Sequence, residues 1–561
     1  MQTHALAAAL AALAPLALAP PSRAQAPDPP VTIDDAYIAA HGGLVNGAFT
    51  VSGNWQSQDL NTPAVTIRTT DAVTIRDSNL RGPGDLIDAD YAHANVTVVN
   101  TAGYGVNPNV AGKSVGNFLF ANNADVVDVE HCYLEHVKGI VAQNNGVAAR
   151  RIAVLYNQVK DLDGRFSDGN GGYGPAPDGR IADGCNFVGL DKQASPGIEV
   201  AWNQVINEPG NSAVEDEIST FASRGTSDGP ILIHDNYLQG HYPPAPADGS
   251  HFYTGTAINI GDYDTDDLSV APGYVRCYNN QVVSDAGGSI TVSAGHDNEL
   301  YGNRVVTSGL LPDGSKLPQS GAGIVLWDFY GNQRQRHTPT YFGNFAHDNS
   351  GAFWNHDGHR FTFWFPDGDK SRDTGNQDID VPAGVSDPYY SQPTLQDEAN
   401  EYTLWQQKLS QSGVTVGPTS AVPFAGQAVT LQAQANGRYV CADNAGASAL
   451  VANRAAPYLG ADSWEEFQVV DLGGGYAGLK ALADGKYVTA GAGPLIADSA
   501  AAGAAQGFKI VDEGGGLYAL QARANGQYVC ADSAGSSPLI ANRGAPYLGA
   551  GSWEEFKIVA R

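Results

Sequence analysis

The sequence predicts an all-β protein in two parts, a solenoid of short parallel strands followed by a β-trefoil. Two internal repeats and one compositional bias carry this reading. The phrase Leu-Gln-Ala-x-Ala-Asn-Gly-x-Tyr-Val-Cys-Ala-Asp stands at Leu431 to Asp443 and again at Leu520 to Asp532, with an eroded copy between them beginning at Leu479. A looser phrase, apolar-x-apolar-x-x-Asn-x-apolar, recurs from about Val65 to Asn344. Gly 67 and Pro 31 beside Met 1 describe a turn-rich chain rather than a helical one. Self-similarity at a fixed period marks repeat architectures and outranks local propensity.

In chain order, Ala5 to Pro20 is apolar and rich in Ala and Leu, and Ala24-Gln25-Ala26 supplies the small residues of a cleavage site. Residues 1–26 are therefore expected to be a signal peptide, with the mature chain secreted or periplasmic. The run is too short and too proline-interrupted for a membrane span. Cys132 and Cys277 fall inside apolar strand patterns, while Cys441 and Cys530 occupy matching repeat positions. Buried free thiols are expected, not a disulfide framework.

The looser repeat reads Val73-Thr-Ile75-Arg-Asp-Ser-Asn79, Ile152-Ala-Val154-Leu-Tyr-Asn157, Ile198-Glu-Val200-Ala-Trp-Asn203 and Ile231-Leu-Ile233-His-Asp-Asn236, with Cys132, Asn280, Asn303 and Asn344 at the same place in shifted copies. Period-two alternation makes each copy a strand. An inward Asn at each corner can bond turn backbone above and below. The step from Cys132 to Asn157 fits one coil, and the longer step from Asn157 to Asn203 fits two. This pattern resembles the right-handed parallel β-helix of the pectate-lyase-like superfamily of carbohydrate-active proteins. That resemblance implies a flat strand face along which a polymer lies. It is specific for fold and weak for reaction, because hydrolases, lyases, epimerases and adhesins share such coils.

A second strand series runs between the Asn strands: Cys185 to Lys192, Ser212 to Ile218, Thr256 to Asp262, Ser289 to Ser293 and Gly323 to Asp328. Stacking Val188, Val214, Ile258, Ile290 and Ile324 inward predicts an outward row of Asp191, Glu217, Gly261, Ser293 and Trp327. A second outward row holds Gly189, Glu215, Asn259, Thr291 and Val325. Asp216 then interrupts the inward row of Leu190, Ile260, Val292 and Leu326. Either a bulge lifts it out or it sits in a specific hydrogen-bonded site, because an unpaired buried carboxylate is costly or forced neutral. The candidate catalytic set is Asp191, Glu215, Asp216 and Glu217, with Asp262 in reserve. Neighbours two apart on a strand lie about 6.6 Å apart and stacked coils about 4.8 Å apart, near the carboxyl separations of inverting and retaining glycosidases. Glu215 with Glu217 would frame the former, and Asp191 with Glu217 the latter.

Several features flank that patch. Asp262, Asp264 and Asp266 alternate as carboxylates do in calcium loops. Ca2+ is thus the candidate ion, although glycoside hydrolysis requires no cofactor. His-Asp-Asn recurs at His234, His296 and His347, partly following the Asn ladder. The aromatic cluster Phe353, Trp354, Phe361, Phe363, Trp364 and Phe365 fits core packing of the last coils or a sugar-groove wall. Insertions at Asp163 to Gly184 and His241 to Gly255 would carry specificity.

Pro393-Thr394 opens an amphipathic helix bearing Leu395, Tyr402, Leu404, Trp405 and Leu409 and ending near Gly413, expected to cap the solenoid. The β-helix is expected over 27–415, a linker over 416–427 and the trefoil over 428–561. The trefoil phrases, with Ala-Asn-Arg and Trp-Glu-Glu-Phe, resemble the fascin-like β-trefoil modules of secreted carbohydrate-active enzymes. The resemblance implies sugar binding with Trp as a stacking platform. The sites would be Trp464, Glu465, Asn453 and Arg454 in the first copy and Trp553, Glu554, Asn542 and Arg543 in the third. The middle copy has Ala504, Ala505 and Gln506 in place of the Trp-Glu stretch, so two sites are expected.

Lys+Arg 31 against Asp+Glu 59, a formal net charge of -28, exclude a nucleic-acid partner and disfavour a polyanionic glycan. The functional expectation is a monomeric, secreted polysaccharide-degrading enzyme, a glycoside hydrolase cleaving a neutral glycan. The alternatives are a calcium-dependent lyase on a uronic-acid polymer, with Asp191, Glu215 or Asp216 holding the ion and Lys192 or a nearby Arg taking the proton, and a non-catalytic glycan-binding surface protein.

Overall fold

The computed structural model describes residues 27–561 apart from 46, 246–254, 318–320, 336, 356, 383–389, 420–421, 473–474, 492, 515 and 550. The expected signal peptide therefore lies outside the described residues, as does most of the second insertion. The first region is a parallel β-helix whose three sheets have 11, 10 and 11 strands, one strand per sheet from each coil. Short apolar-x-apolar strands such as Val65–Arg68 and Ala72–Arg76 alternate buried and half-buried side chains. Every second residue thus enters a continuous apolar column.

The Asn repeat forms the corner between the second and third sheets. Asn157, Asn203, Asn236, Asn280, Asn303 and Asn349 are buried, and each side-chain amide donates to the next Asn Oδ1 along the helix, down to Asn376, at 2.8–3.0 Å. Each Oδ1 also accepts the backbone N–H of the Asn one coil before, as Asn203 Oδ1 does from Asn157. Buried corner backbone is thereby satisfied without a sheet partner. The preceding residue turns the chain with φ of 60° at Tyr156, 57° at Trp202 and 52° at Asp235.

Two expectations need correction. Asn344 belongs to a separate pair with Asn298 at the other corner, and Asn349 takes the ladder position. The step from Asn157 to Asn203 is one coil, not two, because Gln158–Lys160 pairs directly with Gln204–Ile206. The extra length is the first insertion.

The helix spans Leu395–Ser412, with a Thr394–Asp397 capping box and Gly413 in the left-handed region at its C-terminus. It does not close an end of the solenoid as expected. It lies along the outer side of the third sheet, with Glu398 accepting from the Ser308 amide at 2.6 Å, Glu401 paired to Arg304 at 2.6 Å and Trp405 donating to Gln204 at 3.0 Å. Beyond it, the Gly417 amide donates to the Tyr156 carbonyl at 2.7 Å.

The C-terminal region is a β-trefoil. Ala428–Ala433, Glu466–Asp471, Ala477–Ala481, Gly507–Gly514, Leu517–Ala522 and Glu555–Ala560 close into an antiparallel barrel. One hairpin per repeat caps it. The amides of Leu450, Leu495 and Leu539 donate in a ring to the carbonyls of Leu495, Leu539 and Leu450, each at 2.8 Å. All five cysteines are free and buried, as expected. Among the described residues no helix is long and apolar enough to cross a membrane.

Candidate functional site

The first sheet carries the expected carboxylates, in a different register. Val188 stacks on Ile218, not on Val214, and the inward column continues through Ile258, Ile290 and Ile324. The strand is Asp216–Ser219, so its acidic run precedes and opens the strand instead of filling it. The outward row is Gly189, Ser219, Asn259, Thr291, Val325 and Trp364, a floor of small polar groups ending in an aromatic ring.

This register separates the predicted pairs. Asp191 lies five positions along the strand from Asn186, which pairs with Asp216, so it is roughly 16 Å away along the sheet. It is engaged by Gln143 at 2.6 Å and Lys192 at 3.1 Å. Glu217 is 0% exposed and turns inward, accepting from Asn207 at 3.1 Å. Neither the Asp191–Glu217 nor the Glu215–Glu217 pair frames an open cleft. The Lys192 arrangement expected for a lyase is likewise drawn off toward Asp191.

Glu215, Asp216 and Asp262 are brought together instead. Asp216 is buried, with Oδ1 accepting the Thr256 amide at 2.8 Å and Oδ2 facing the Asn259 side-chain amide at 3.3 Å. Asn259 Oδ1 accepts from Ser293 Oγ at 2.9 Å, and that oxygen accepts the Asp262 amide at 3.1 Å. Tyr330 OH donates to Asp262 Oδ1 at 2.8 Å. One polar chain therefore links Asp216 to Asp262 across adjacent coils. Glu215 remains exposed beside it.

Desolvation is the main force on these groups. It lifts Asp216 to about 7, reinforced by Glu215 and Asp262 and opposed by the Thr256 amide and His241. Glu215 is raised by desolvation from the surrounding walls and by Asp262 and Asp183. Glu217 is pushed to about 8 by burial. The insertions close on this point through glycines. A Cβ on Gly184 would come within 2.7 Å of Glu215 Oε2, and Gly255, with φ +87°, would place one 2.4 Å from Asp216 Oδ1. At Gly255, where the same Cβ would also stand 2.0 Å from the Glu215 carbonyl oxygen, only glycine fits; at Gly184 the Glu215 carboxylate would have to swing aside.

The calcium reading of the Asp262 loop is not borne out. Arg334 pairs with both Asp264 and Asp266, the latter at 2.6 Å, while Asp262 is turned to Tyr330. Among the described residues no group of three or more His, Cys, Asp and Glu could hold a metal ion. The His-Asp-Asn motif is corner chemistry: His234 stacks on Tyr278 and bonds Asp235 and Glu199, and His347 repeats this with Tyr301, Asp348 and Glu299. Both sit on the second sheet, away from the carboxylates. The aromatic segment divides: Phe353 is core, while Trp364 packs tilted against Trp327, which meets Phe329 edge-on. Sequence reasoning missed Tyr330, Phe221 and His241. Phe221, 36% exposed, meets Tyr263 edge-on at 5.7 Å.

In the trefoil, Trp464 and Trp553 are 37% and 36% exposed. Both rings therefore reach the surface and are not barrel core. Beneath each ring lies a buried carboxylate held by arginine: Arg454 reaches Glu465 at 3.3 Å and also Asp443, and Arg543 reaches Glu554 at 3.4 Å and Asp532 at 3.3 Å. Asn453 donates to Asp443 at 2.8 Å, while Asn542 accepts from Arg543 at 2.6 Å. Ala442 and Ala531 donate to the Trp464 and Trp553 carbonyls; Ala490 donates to Ala505 in the middle copy. Ala505 is thus the structural equivalent of the two tryptophans.

No family model matches the chain, and no curated protein matches it. Among solved structures, a designed 3-fold symmetric protein, ThreeFoil, is similar at 26% identity over 24% of this chain and 97% of its own, with a TM-score of 0.21. The exo-beta-1,3-galactanase 1,3Gal43A from Clostridium thermocellum shares 20% identity over 26% of this chain, spanning 33% of that enzyme, at a TM-score of 0.21. The PL6 family polysaccharide lyase Pedsa3628 from Pseudopedobacter saltans shares 12% identity over 65% of this chain and 96% of its own, at a TM-score of 0.30.

Proposed function

We propose that the protein is a polysaccharide-degrading enzyme, a glycoside hydrolase acting on a neutral glycan, with a sugar-binding trefoil. The observation that carries this reading is Asp216, a buried carboxyl that holds a proton near neutral pH beside the exposed Glu215 on an elongated sheet face. Asp216 would protonate the glycosidic oxygen as general acid. Glu215, open to solvent, would activate the incoming water, and Asp262, oriented by Tyr330, would bind a hydroxyl of the sugar at the cleavage point. A protonated carboxyl as acid beside a second, solvent-open carboxyl as base is the usual requirement for such work. The small polar floor and the aromatic rings of Phe221, Trp327 and Trp364 suit uncharged sugar faces. Trp464 and Trp553 would hold the same polymer, weakly at each site and with avidity when both engage.

The test is product analysis with the full chain on a panel of neutral and uronic-acid glycans. New reducing ends without ultraviolet absorbance, lost in Asp216→Asn, are expected. An unsaturated uronide product would replace this reading with a lyase. Adsorption with no cleavage of any glycan would leave a binding protein.

A further inference from the structure

Beneath the carboxylates lies a histidine that the proposed chemistry does not use. His241 is 1% exposed, yet both ring nitrogens are engaged. Nε2 lies 2.7 Å from the Glu215 carbonyl oxygen, which can only accept, so this nitrogen carries a proton. Nδ1 lies 2.8 Å from Asp285 Oδ1. That oxygen also accepts the Gly287 amide at 2.8 Å. Asp285 itself is 0% exposed. Both ring nitrogens therefore face oxygen atoms, one a peptide carbonyl and the other a buried carboxyl group.

Its place in the fold gives this pair a role. The residues after His241 form the second insertion, whose closing Gly255 presses on Asp216 Oδ1 and on the Glu215 carbonyl. Glu215, Asp216 and Glu217 all lie on the coil that His241 faces. The described charged groups around the ring are those three, Asp285 from the following coil and, beyond Tyr242, Glu398 of the long helix. His241 supplies the positive charge among them.

We propose that His241 and Asp285 are positioning residues for this site: the imidazolium anchors the Glu215 peptide from beneath and provides the cation that the Glu215–Asp216–Glu217 run faces. This rests on the reading of Asp216 and Glu215 as the reacting carboxyls only for its functional meaning; the ion pair itself does not. Burial alone would lower the proton affinity of His241, but the charge and hydrogen bond of Asp285, with Glu217 and the Glu215 carbonyl, lift it to about 10. The imidazolium in turn opposes the upward shift of Asp216.

Two measurements on the full chain test the pair without substrate. In the wild type, imidazole 15N shifts should show both nitrogens of His241 protonated at pH 8; a neutral tautomer there overturns the proposal and needs no variant. In protein with 13C-labelled aspartate, the Asp216 carboxyl, assigned by its absence in D216N, should titrate about one unit higher in H241Q, because an opposing charge has been removed. Glutamine keeps a donor for the Glu215 carbonyl, so a merely structural role predicts no movement of that midpoint, and an unchanged midpoint in a folded H241Q refutes the pair. If D216N retains full cleavage while the midpoint moves as expected, the functional reading fails and the ion pair stands.

Discussion

The two acidic sites of this molecule place carboxylates in opposite company. In the trefoil, the glutamate that follows each exposed tryptophan has an arginine: Glu465 has Arg454 and Glu554 has Arg543. Asp443 is held below the usual range because Asn453, Cys441 and Arg454 outweigh its desolvation. On the β-helix, Asp216 and Glu215 have no arginine or lysine hydrogen-bond partner among the described residues, and desolvation raises both. The same residue type therefore serves two ends. A carboxylate with a fixed cation favours its charged form, as the proposed sugar-binding role of the trefoil would use, whereas a desolvated one beside a second acid can hold and release a proton near neutrality.

The comparison breaks first at the β-helix. Asp216→Asn is expected to lower the cleavage rate by roughly 10²–10⁴-fold, the range for loss of a general acid, and Glu215→Gln by a similar factor, both read as initial rates at pH 6. Glu217→Gln should stay within a few-fold of wild type, because this buried neighbour is already protonated and an amide copies its shape. A large loss in Glu217→Gln with normal folding would return that residue to the reacting set.

A second expected effect is on stability. Asn236 links Asn203 to Asn280, and its removal leaves the buried Asn203 amide groups without their acceptor. At about 1–3 kcal/mol for each orphaned group, Asn236→Ala should cost about 2–5 kcal/mol in denaturant unfolding. An unchanged midpoint would mean that the ladder marks register without supporting it.

Proton linkage gives a third, smaller signal. Asp216 at about 7 and Glu217 at about 8 lie above their ordinary values of 3.8 and 4.5, so the folded chain binds protons that the unfolded chain releases. That stabilisation is complete below the ordinary values and disappears as pH rises through 7 and 8. The melting temperature should fall between pH 4 and pH 8, and Glu217→Gln should flatten the fall. Activity that depends on protonated Asp216 should decline above about pH 7 in the same window.

The trefoil should respond least in stability and most in adsorption. Replacing Trp464 and Trp553 together by Ala is expected to abolish pull-down on insoluble glycan and to leave the melting temperature nearly unchanged, since both rings are partly exposed. Ala505→Trp should not create a third site, because the middle copy carries Gln506 and Ser499 where the others carry glutamate and arginine. Recovery of a third site by calorimetry would show that the ring alone suffices.

Much of the architecture was legible because it is periodic. The Asn repeat and the trefoil phrases predict the corner ladder, the barrel and the exposed tryptophans, and Thr394 and Gly413 mark the helix ends. Insertions misled the coil count at Asn157 to Asn203, since a long excursion and an extra coil look alike in spacing. Ser212 to Ile218 was misregistered for a related reason: Val214 and Ile218 are both apolar and share parity, and only the neighbouring strands select Ile218.

What the sequence by itself determined is the repeat, and with it the solenoid, the trefoil and the location of an acidic stretch on the first sheet. Alternation and recurrence act through local backbone geometry, which each coil can satisfy with its own residues. Tertiary structure alone decided which carboxylates meet. Asp191 moved away along its strand, Glu217 turned inward, Asp262 joined Asp216 through Asn259 and Ser293, and Arg334 took the carboxylates that resembled a calcium loop. His241, with no repeat to announce it, came under Glu215 from the base of an insertion. Those outcomes depend on register between coils and on desolvation, which arise from packing between distant segments and leave no period in the chain.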